Sequence, residues 1–369
     1  MRAVVLSHTY INPEDRGKLR ALAGLGCSIA LAVPDHWVHP ITGSRLAASW
    51  GDDGGVRVVP VRVRGAGGGP ELATWDRSTL KKLLRDFRPD ILQVEEDPWT
   101  PAAASVSAVA ARLRIPVVLF SAESVTRAYP FRQRLRRRSA VNRAAGFLGG
   151  NRLAAALLSR GRPSLPVEVI PQLGAPIPRR LTPVPHDGFT IGFVGRLVHE
   201  KGCDLLLRAC VQVLGAWNLI VVGSGPAQEE MESLAERLGI ASRVTWLGAL
   251  PREELAAAWP RFDCLVLPAR TTQRWVEPHG RAVIEAMAHS VTVIGSTSGA
   301  LPEIIGDAGL VIPEDDVRAL TAAVQDLRDS APRRQAFALE GRRRVMAEFV
   351  DGALARKTLA FWEKVRASR

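Results

Sequence analysis

The chain has 369 residues, 47% hydrophobic and 23% charged, which is enough for about two domains with their own cores and too apolar for a disordered or fibrous chain. Its 49 Lys and Arg against 37 Asp and Glu leave a formal net charge of +12, a surplus that favours anionic partners: phosphorylated substrates, an acidic membrane face or nucleic acid. The cysteines Cys27, Cys203, Cys210 and Cys264 lie in or beside apolar stretches without metal-ligand or redox spacing, as buried thiols in a reducing compartment do. The opening MRAVVLSHTY is too short in its apolar part for a signal peptide, and no run reaches a membrane span. A cytoplasmic location is expected, peripheral to the inner membrane face where the basic surface engages it.

In chain order, β-branched runs predict strands at Ala3–Leu6, Ser28–Val33, Val56–Val61, Ile91–Val94 and Pro116–Phe120, with helix patterns such as Lys18–Ala23 and Ser78–Phe87 between them. The segment GDDGGVRVV…RGAGGGP reads as loops flanking one strand. Near residues 175–188 the stretch GAPIPRRLTPVPHDG is proline-rich and lacks apolar periodicity, a linker composition. A second series follows, with strands at Thr190–Val194, Asn218–Val222, Val244–Leu247, Cys264–Leu267 and Val291–Ile294. Its helices fall at Asp204–Leu214, Ala227–Leu238, Glu253–Trp259 and Arg281–His289, and from about Arg318 the pattern is purely helical. Strands alternating with helices predict parallel sheets covered on both faces, hence an α/β chain of two doubly wound domains.

Two constellations could carry chemistry. In IGFVGRLVHEKG a strand ends at Gly195, followed by Arg196 and Lys201. That places two cations beyond the carboxyl edge of a sheet, where open α/β sheets bind ligands, and Lys201-Gly202 then opens a helix with free N–H groups. The pattern suits a diphosphate; solvated loop charges would look the same. In WVEPHGRAVIEAMA, Glu277 precedes a helix start and Glu285 lies inside the helix. Carboxylates accept from vicinal hydroxyls, and Gly280 lets backbone amides approach an oxygen-rich group, so a sugar would fit. An N-capping acid plus an ordinary amphipathic glutamate is the plainer alternative.

Taken together, the chain resembles family-4-type retaining glycosyltransferases of the two-domain GT-B fold. The resemblance rests on Gly195-Arg196…Lys201-Gly202 and Glu277…Glu285-Ala286-Met287-Ala288, with support from Val222-Gly223-Ser224-Gly225-Pro226, Trp246-Leu247-Gly248, Ser298-Gly299-Ala300-Leu301-Pro302-Glu303 and Asp307-Ala308-Gly309-Leu310. It is strong from about Val167 to Pro313 and looser elsewhere. It implies two Rossmann-like domains facing across a cleft: an acceptor-binding domain at 1–177, a nucleotide-sugar-binding domain at 178–350, and a helix at 351–369 returning to the first domain. In such enzymes the residues matching Arg196 and Lys201 bind the donor diphosphate and stabilise it as it leaves. The one matching Glu277 holds the sugar's hydroxyls and the one matching Glu285 the ribose. Amides of His279, Gly280 and Arg281, beside Pro278, would complete the site. The loops at Gly223 and Gly225 and at Gly248, Ala249 and Leu250 would flank phosphates and base. No cofactor and no metal are expected, since two fixed cations can supply the electrostatic stabilisation that other transferases take from a metal. The chain departs from the family pattern at His279, where an apolar residue is usual, at Ser290, where glycine is usual, and at Gly174-Ala175-Pro176. Ser7-His8-Thr9-Tyr10 replaces the glycine-rich loop after the first strand.

The acceptor half is less legible. His8, at the end of the first strand, is a candidate for substrate contact. Glu123, in Ser121-Ala122-Glu123-Ser124, either orients an acceptor hydroxyl or caps the next helix, with Arg127 nearby. Glu95-Glu96-Asp97 superficially fits a metal site but reads as a carboxylate cluster on the rim. His36-Trp37-Val38-His39 reads as an exposed loop with Trp37 packed on the surface. YPFRQRLRRR, Tyr129 to Arg138, is the most basic run; it reads either as a solvated helix face or, through Arg132–Arg138, as a patch for anionic membrane or a lipid-diphosphate acceptor. No nucleic-acid module is recognisable.

The expected activity is therefore transfer of a sugar, with retention, from a UDP- or GDP-linked donor to a hydroxyl of a small molecule, lipid-linked glycan or polysaccharide. Two other readings compete: a sugar-nucleotide epimerase on the same fold, and a basic membrane-surface binding protein with a degenerate site. Gly223-x-Gly225-Pro226 lacks the third glycine of a dinucleotide fingerprint.

Overall fold

The computed structural model describes residues 1–38, 43, 45–178 and 188–368. His39 and most of the proline-rich linker lie outside the described residues. The chain divides into two compact units, Met1–Gly174 with Asp351–Arg369, and Ala175–Val350.

The first unit is built on a sheet of β1 (Arg2–Leu6), β2 (Ser28–Pro34), β3 (Val56–Val61), β4 (Ile91–Val94), β5 (Val117–Ser121), β6 (Ala144–Gly149) and β7 (Val167–Val169). The order is β7-β6-β5-β4-β1-β2-β3, all parallel, with the two-residue strand Gly51–Asp52 added antiparallel at the β3 edge. The chain winds one way from β1 and the other way from β4, so the gap between their carboxyl ends is the topological switch point, where ligands bind in such sheets. Strand β6, AAGFLG, carries no β-branched residue and escapes a propensity reading. It forms because every residue is buried, and Gly146 lets the last helix lie close: a Cβ there would sit 2.7 Å from Val365. That helix, Asp351–Ala367, buries Phe361, Trp362 and Val365, and Trp362 Nε1 donates to Gln93 Oε1 at 2.7 Å.

The HWV segment differs from its sequence reading. His36–Val38 is a short strand paired antiparallel with Arg45–Ala47. Trp37 is 4% exposed and belongs to the core, its ring stacked on His8 at 4.8 Å. An indole buries too much apolar area to stay on the surface when a core position is within reach.

The second unit holds β8 (Phe189–Val194), β9 (Trp217–Val222), β10 (Val244–Trp246), β11 (Cys264–Leu267), β12 (Thr292–Ser296) and β13 (Leu310–Ile312) in the order β10-β9-β8-β11-β12-β13, all parallel. Its switch point lies between β8 and β11. The helix after β8 spans Cys203–Cys210, shorter than the predicted Asp204–Leu214. Val211 and Leu214 are exposed and have nothing to bury against, and the Leu214 amide turns to Gln325 Oε1 at 2.8 Å. All four cysteines are buried and free; burial pushes the Cys210 thiol up to about 12, so it is unreactive at neutral pH. No described helix is long and apolar enough to cross a membrane.

Candidate functional site

The carboxyl ends of β8, β9 and β10 form one stitched rim. Gly195 N donates to Val222 O at 3.0 Å, Leu197 N to Ser224 O at 3.0 Å, and Gly223 N to Gly248 O at 2.7 Å. The loops come so close that Gly223, at φ +137°, would place a Cβ 1.9 Å from Gly195 O; only glycine fits there. Gly225 is equally confined against Leu197 O. Arg196 stands exposed on this rim, and its guanidinium has no hydrogen-bond or ion-pair partner among the described residues. Ala249 is exposed, and Leu250 is half-buried against the core of the unit.

Across the switch point the structure joins Lys201 to Glu277. Lys201 closes the turn His199–Lys201, next to Gly195, and its Nζ lies 2.5 Å from Glu277 Oε2 and 5.2 Å from the Trp275 ring. Glu277 is 3% exposed. Its other oxygen accepts from Gly280 N at 2.9 Å and His279 N at 3.4 Å, so it also fixes the turn that leads into the helix Arg281–Ala288. Burial alone would raise its pKa, but Lys201 and the two amides outweigh it and hold the carboxyl below its ordinary value. Gly280, at φ +51°, makes the bend into the helix, where a Cβ would meet Ile304 at 2.6 Å. Pro278 is half-buried. His279 is solvent-facing yet walled by protein, and desolvation, helped by Lys201 and Arg281, lowers its pKa against the pull of Glu277. One turn on, Glu285 is 8% exposed and takes Arg281 Nε at 2.9 Å.

Arg270, two residues past Pro268 at the end of β11, escaped the sequence reading. It is 7% exposed and grips Asp204 with both terminal nitrogens at 2.6 and 2.7 Å, Asp315 at 2.5 Å and His199 O at 2.9 Å. Its own amide donates to Glu200 O at 2.8 Å. This clamp fixes the turn that carries Lys201. An arginine leaving a strand end in LPAR, with an aspartate opening the helix after Lys201, was the available signal. The site thus presents a cation on the rim that is unpartnered among the described residues, a second cation held by a buried carboxylate, and a helix start reached through a turn that the same carboxylate fixes. Such a surface can neutralise a diphosphate and accept hydrogen bonds from hydroxyls.

In the first unit, His8 sits at its switch point. Its Nδ1 and its backbone N–H both lie 2.7 Å from Glu96 Oε1; burial would lower the imidazole pKa, but Glu96 overrides that and raises it. The carboxylates do not form a rim cluster as expected. Glu95 and Glu96 are each 3% exposed, and Glu95 Oε1 is held by the buried Lys18 ammonium at 3.1 Å and by Gln93 at 2.5 Å. Asp97 accepts from Ser121 Oγ at 2.6 Å, and burial pushes its carboxyl up to about 6. Each carboxylate is drawn to a different partner, because a buried charge persists only when paired. Glu123 caps no helix: the next one, Phe131–Arg143, begins after Pro130 without a side-chain cap. Glu123 instead pairs with Arg127 at 2.6 Å and accepts from the Tyr129 hydroxyl. The basic run lies on that helix, with Phe131 72% and Leu135 50% exposed, and beside it opens a pocket of about 800 Å³ that the sequence did not announce.

Two parallel sheets whose switch-point loops carry cations and carboxylates place the chain among the doubly wound α/β proteins that bind ligands at the carboxyl ends of their strands. The model of "Glycosyl transferases group 1" matches residues 178–344 and that of "Glycosyl transferase 4-like domain" residues 16–172. The chain belongs to the family-4-type glycosyltransferases of the GT-B fold. It is 35% identical over 156 residues to the GDP-mannose-dependent alpha-(1-6)-phosphatidylinositol monomannoside mannosyltransferase of Mycolicibacterium smegmatis, covering 40% of this chain and 41% of that protein. It is 32% identical over 161 residues to the 2-deoxystreptamine N-acetyl-D-glucosaminyltransferase of Streptomyces fradiae, covering 41% of this chain and 36% of that one. The matches thus span less than half the length of these curated relatives. Among solved structures, the sucrose-phosphate synthase of Thermosynechococcus elongatus superposes with a TM-score of 0.71 at 19% identity over 100% of both chains. Anabaena HepE in complex with UDP superposes at 0.70 and 16%, covering 99% of this chain and 100% of that one. At these identities the structures speak for the fold.

Proposed function

We propose that the protein transfers a sugar from a nucleoside-diphosphate donor, UDP- or GDP-linked, to an acceptor hydroxyl with retention at the anomeric carbon. The observation that carries this reading is the Arg196 rim cation beside the Lys201–Glu277 pair at the switch point of the second sheet. Arg196 and Lys201 bind the diphosphate and stabilise the charge that grows on it as the glycosidic bond breaks. Glu277 accepts from the sugar's hydroxyls and Glu285 from the ribose. The departing phosphate takes the acceptor's proton, so no first-unit carboxylate is required as a base, and neither is a metal. The GDP-mannose dependence of the mycobacterial relative favours a GDP-linked donor, and its phosphatidylinositol-based acceptor favours a lipid-linked glycan. The first unit takes the acceptor, and the basic helix, through Arg132–Arg138, brings the protein to an anionic membrane surface.

The test is a thermal-shift panel in EDTA with UDP, GDP, ADP, NAD and several nucleotide sugars, followed by transfer from the stabilising donor to candidate acceptors. The anomeric configuration of the product is read by NMR. A ligand at about a hundred times its Kd stabilises by roughly 2.7 kcal/mol, a shift of several degrees. Stabilisation by NAD alone, or conversion of the donor sugar without an acceptor, overturns the reading; the latter outcome marks an epimerase.

A further inference from the structure

We infer that the first unit carries a preformed pocket for an amphiphilic phosphate ester, an organic phosphate with an attached apolar portion. The pocket is closed by three walls: the loop from Glu123 to Tyr129, the helix Phe131–Arg143, and the chain around Leu157 to Gly161. Pro98 and Ser121, at the carboxyl edge of the sheet, also line it. The basic run is therefore divided. Arg134, Arg137 and Arg138, spaced along one helix face, line the cavity, and Arg132 does not.

The walls are tied before any ligand arrives. Arg137 Nη2 donates to Leu157 O at 2.8 Å, and Arg162 Nη1 to Asn142 O at 3.0 Å. The carboxylate lining the cavity, Glu123, is already matched by Arg127. Arg134, Arg138 and Arg160 remain exposed, and their guanidinium groups have no partner among the described residues. Three unmatched guanidiniums on pinned walls suit the multiple oxygens of a phosphate, which the planar fork binds two at a time. Phe131, Leu135 and Leu157 supply apolar surface beside them, which a free inorganic anion would leave uncovered. A phosphate alone engages the arginines and leaves the apolar lining uncovered; a phosphate ester with a lipid-like portion engages both.

That the occupant is the acceptor rests on the proposed transfer; that the pocket binds does not. Calorimetry with dihexanoyl phosphatidic acid, kept monomeric, should show one saturable site, while inorganic phosphate binds markedly more weakly. Arg134→Gln/Arg138→Gln should weaken the amphiphile by at least about tenfold, and Leu135→Asp should weaken it too. Arg112→Gln/Arg143→Gln, which removes the same charge from residues outside the pocket, should leave it unchanged. Thermal shifts by UDP and GDP should be the same in all of these variants. If the amphiphile binds while no donor nucleotide does, the transfer reading falls and the pocket stands. Absence of monomer binding, equal binding of inorganic phosphate, or binding only to phosphatidic acid vesicles that both arginine pairs weaken alike overturns the pocket.

Discussion

Replacing Glu277 by Gln separates two roles that a simple loss of function would merge. The carboxylate is 4% exposed at its side chain and holds Lys201 at 2.5 Å. Removing one member of a buried ion pair costs about 3–5 kcal/mol, because the other charge is left without a partner. A fifth of the Lys201 side chain remains in water, which places the expectation at the low end of that range, about 3 kcal/mol. At about 2–4 °C per kcal/mol, the melting temperature should fall by about 6–12 °C. Excess nucleoside diphosphate then supplies the missing counter-charge. Lys201 no longer divides its attention between carboxylate and phosphate, so the nucleotide should stabilise Glu277→Gln more than the wild type, with Kd tightened by about tenfold for one charge-assisted contact. Transfer should fall by at least about a hundredfold, roughly 2.7 kcal/mol in the barrier, because the sugar's hydroxyls lose a charged acceptor and one of its two oxygens becomes a donor NH2. Differential scanning fluorimetry with and without UDP or GDP, paired with a transfer assay, reads both effects. A nucleotide shift equal to or smaller than that of the wild type refutes the argument that Lys201 exchanges Glu277 for phosphate.

Three further outcomes are expected. Arg196→Ala should leave the melting temperature of the free protein within error, since the side chain is exposed and unpartnered among the described residues, yet weaken nucleoside diphosphate binding about ten- to a hundredfold; isothermal titration decides, and unchanged affinity counts against the rim reading. Asp97 has a folded pKa of about 6 against 3.8, so the fold disfavours its charged form: the cost is absent below pH 3.8, grows through that window and is complete above pH 6. Asp97→Asn should therefore be more stable than wild type at pH 8 by at most about 3 kcal/mol and no more stable near pH 3.5, as urea titrations at the two values would show; a pH-independent difference contradicts this. Trp362→Phe should cost about 1–3 kcal/mol by leaving the buried Gln93 carbonyl without its donor, measured as a lower urea midpoint for the first unit, and an unchanged midpoint would mean the bond contributes nothing.

Strands rich in Val and Ile, such as Val56–Val61 and Cys264–Leu267, were legible because β-branched runs between turn residues carry a local signal. Ala144–Gly149 was not, since its extended form is imposed by burial under a helix more than two hundred positions away. The same contrast holds at the site. Gly195, Arg196, Lys201 and Glu277 follow strand ends in a recognisable order, so their placement could be read as a pattern. Arg270 could not, because its partners Asp204 and Asp315 lie 66 and 45 residues away in sequence. Glu95 was misjudged for a related reason: the lysine that makes its burial tolerable, Lys18, is 77 residues distant. Local chemistry announces itself; the pairing that decides whether a charge is surface or core does not. The pocket beside Arg134 was hidden similarly, because its third wall comes from another helix.

The packing of Asp351–Ala367 onto the first unit has a consequence for biosynthesis. Residues 175–350 are contiguous and contain their whole core, whereas the first sheet stays uncovered along Gly146 and Gln93 until Phe361, Trp362 and Val365 arrive. During vectorial synthesis the later-made unit is therefore the first that can finish folding, and the earlier-made one must wait with an open apolar face. A fragment ending at Val350 should show it directly under limited proteolysis: residues 188–350 protected and the first unit cut. Equal protection of both would mean that the last helix is a cover rather than a part of the core.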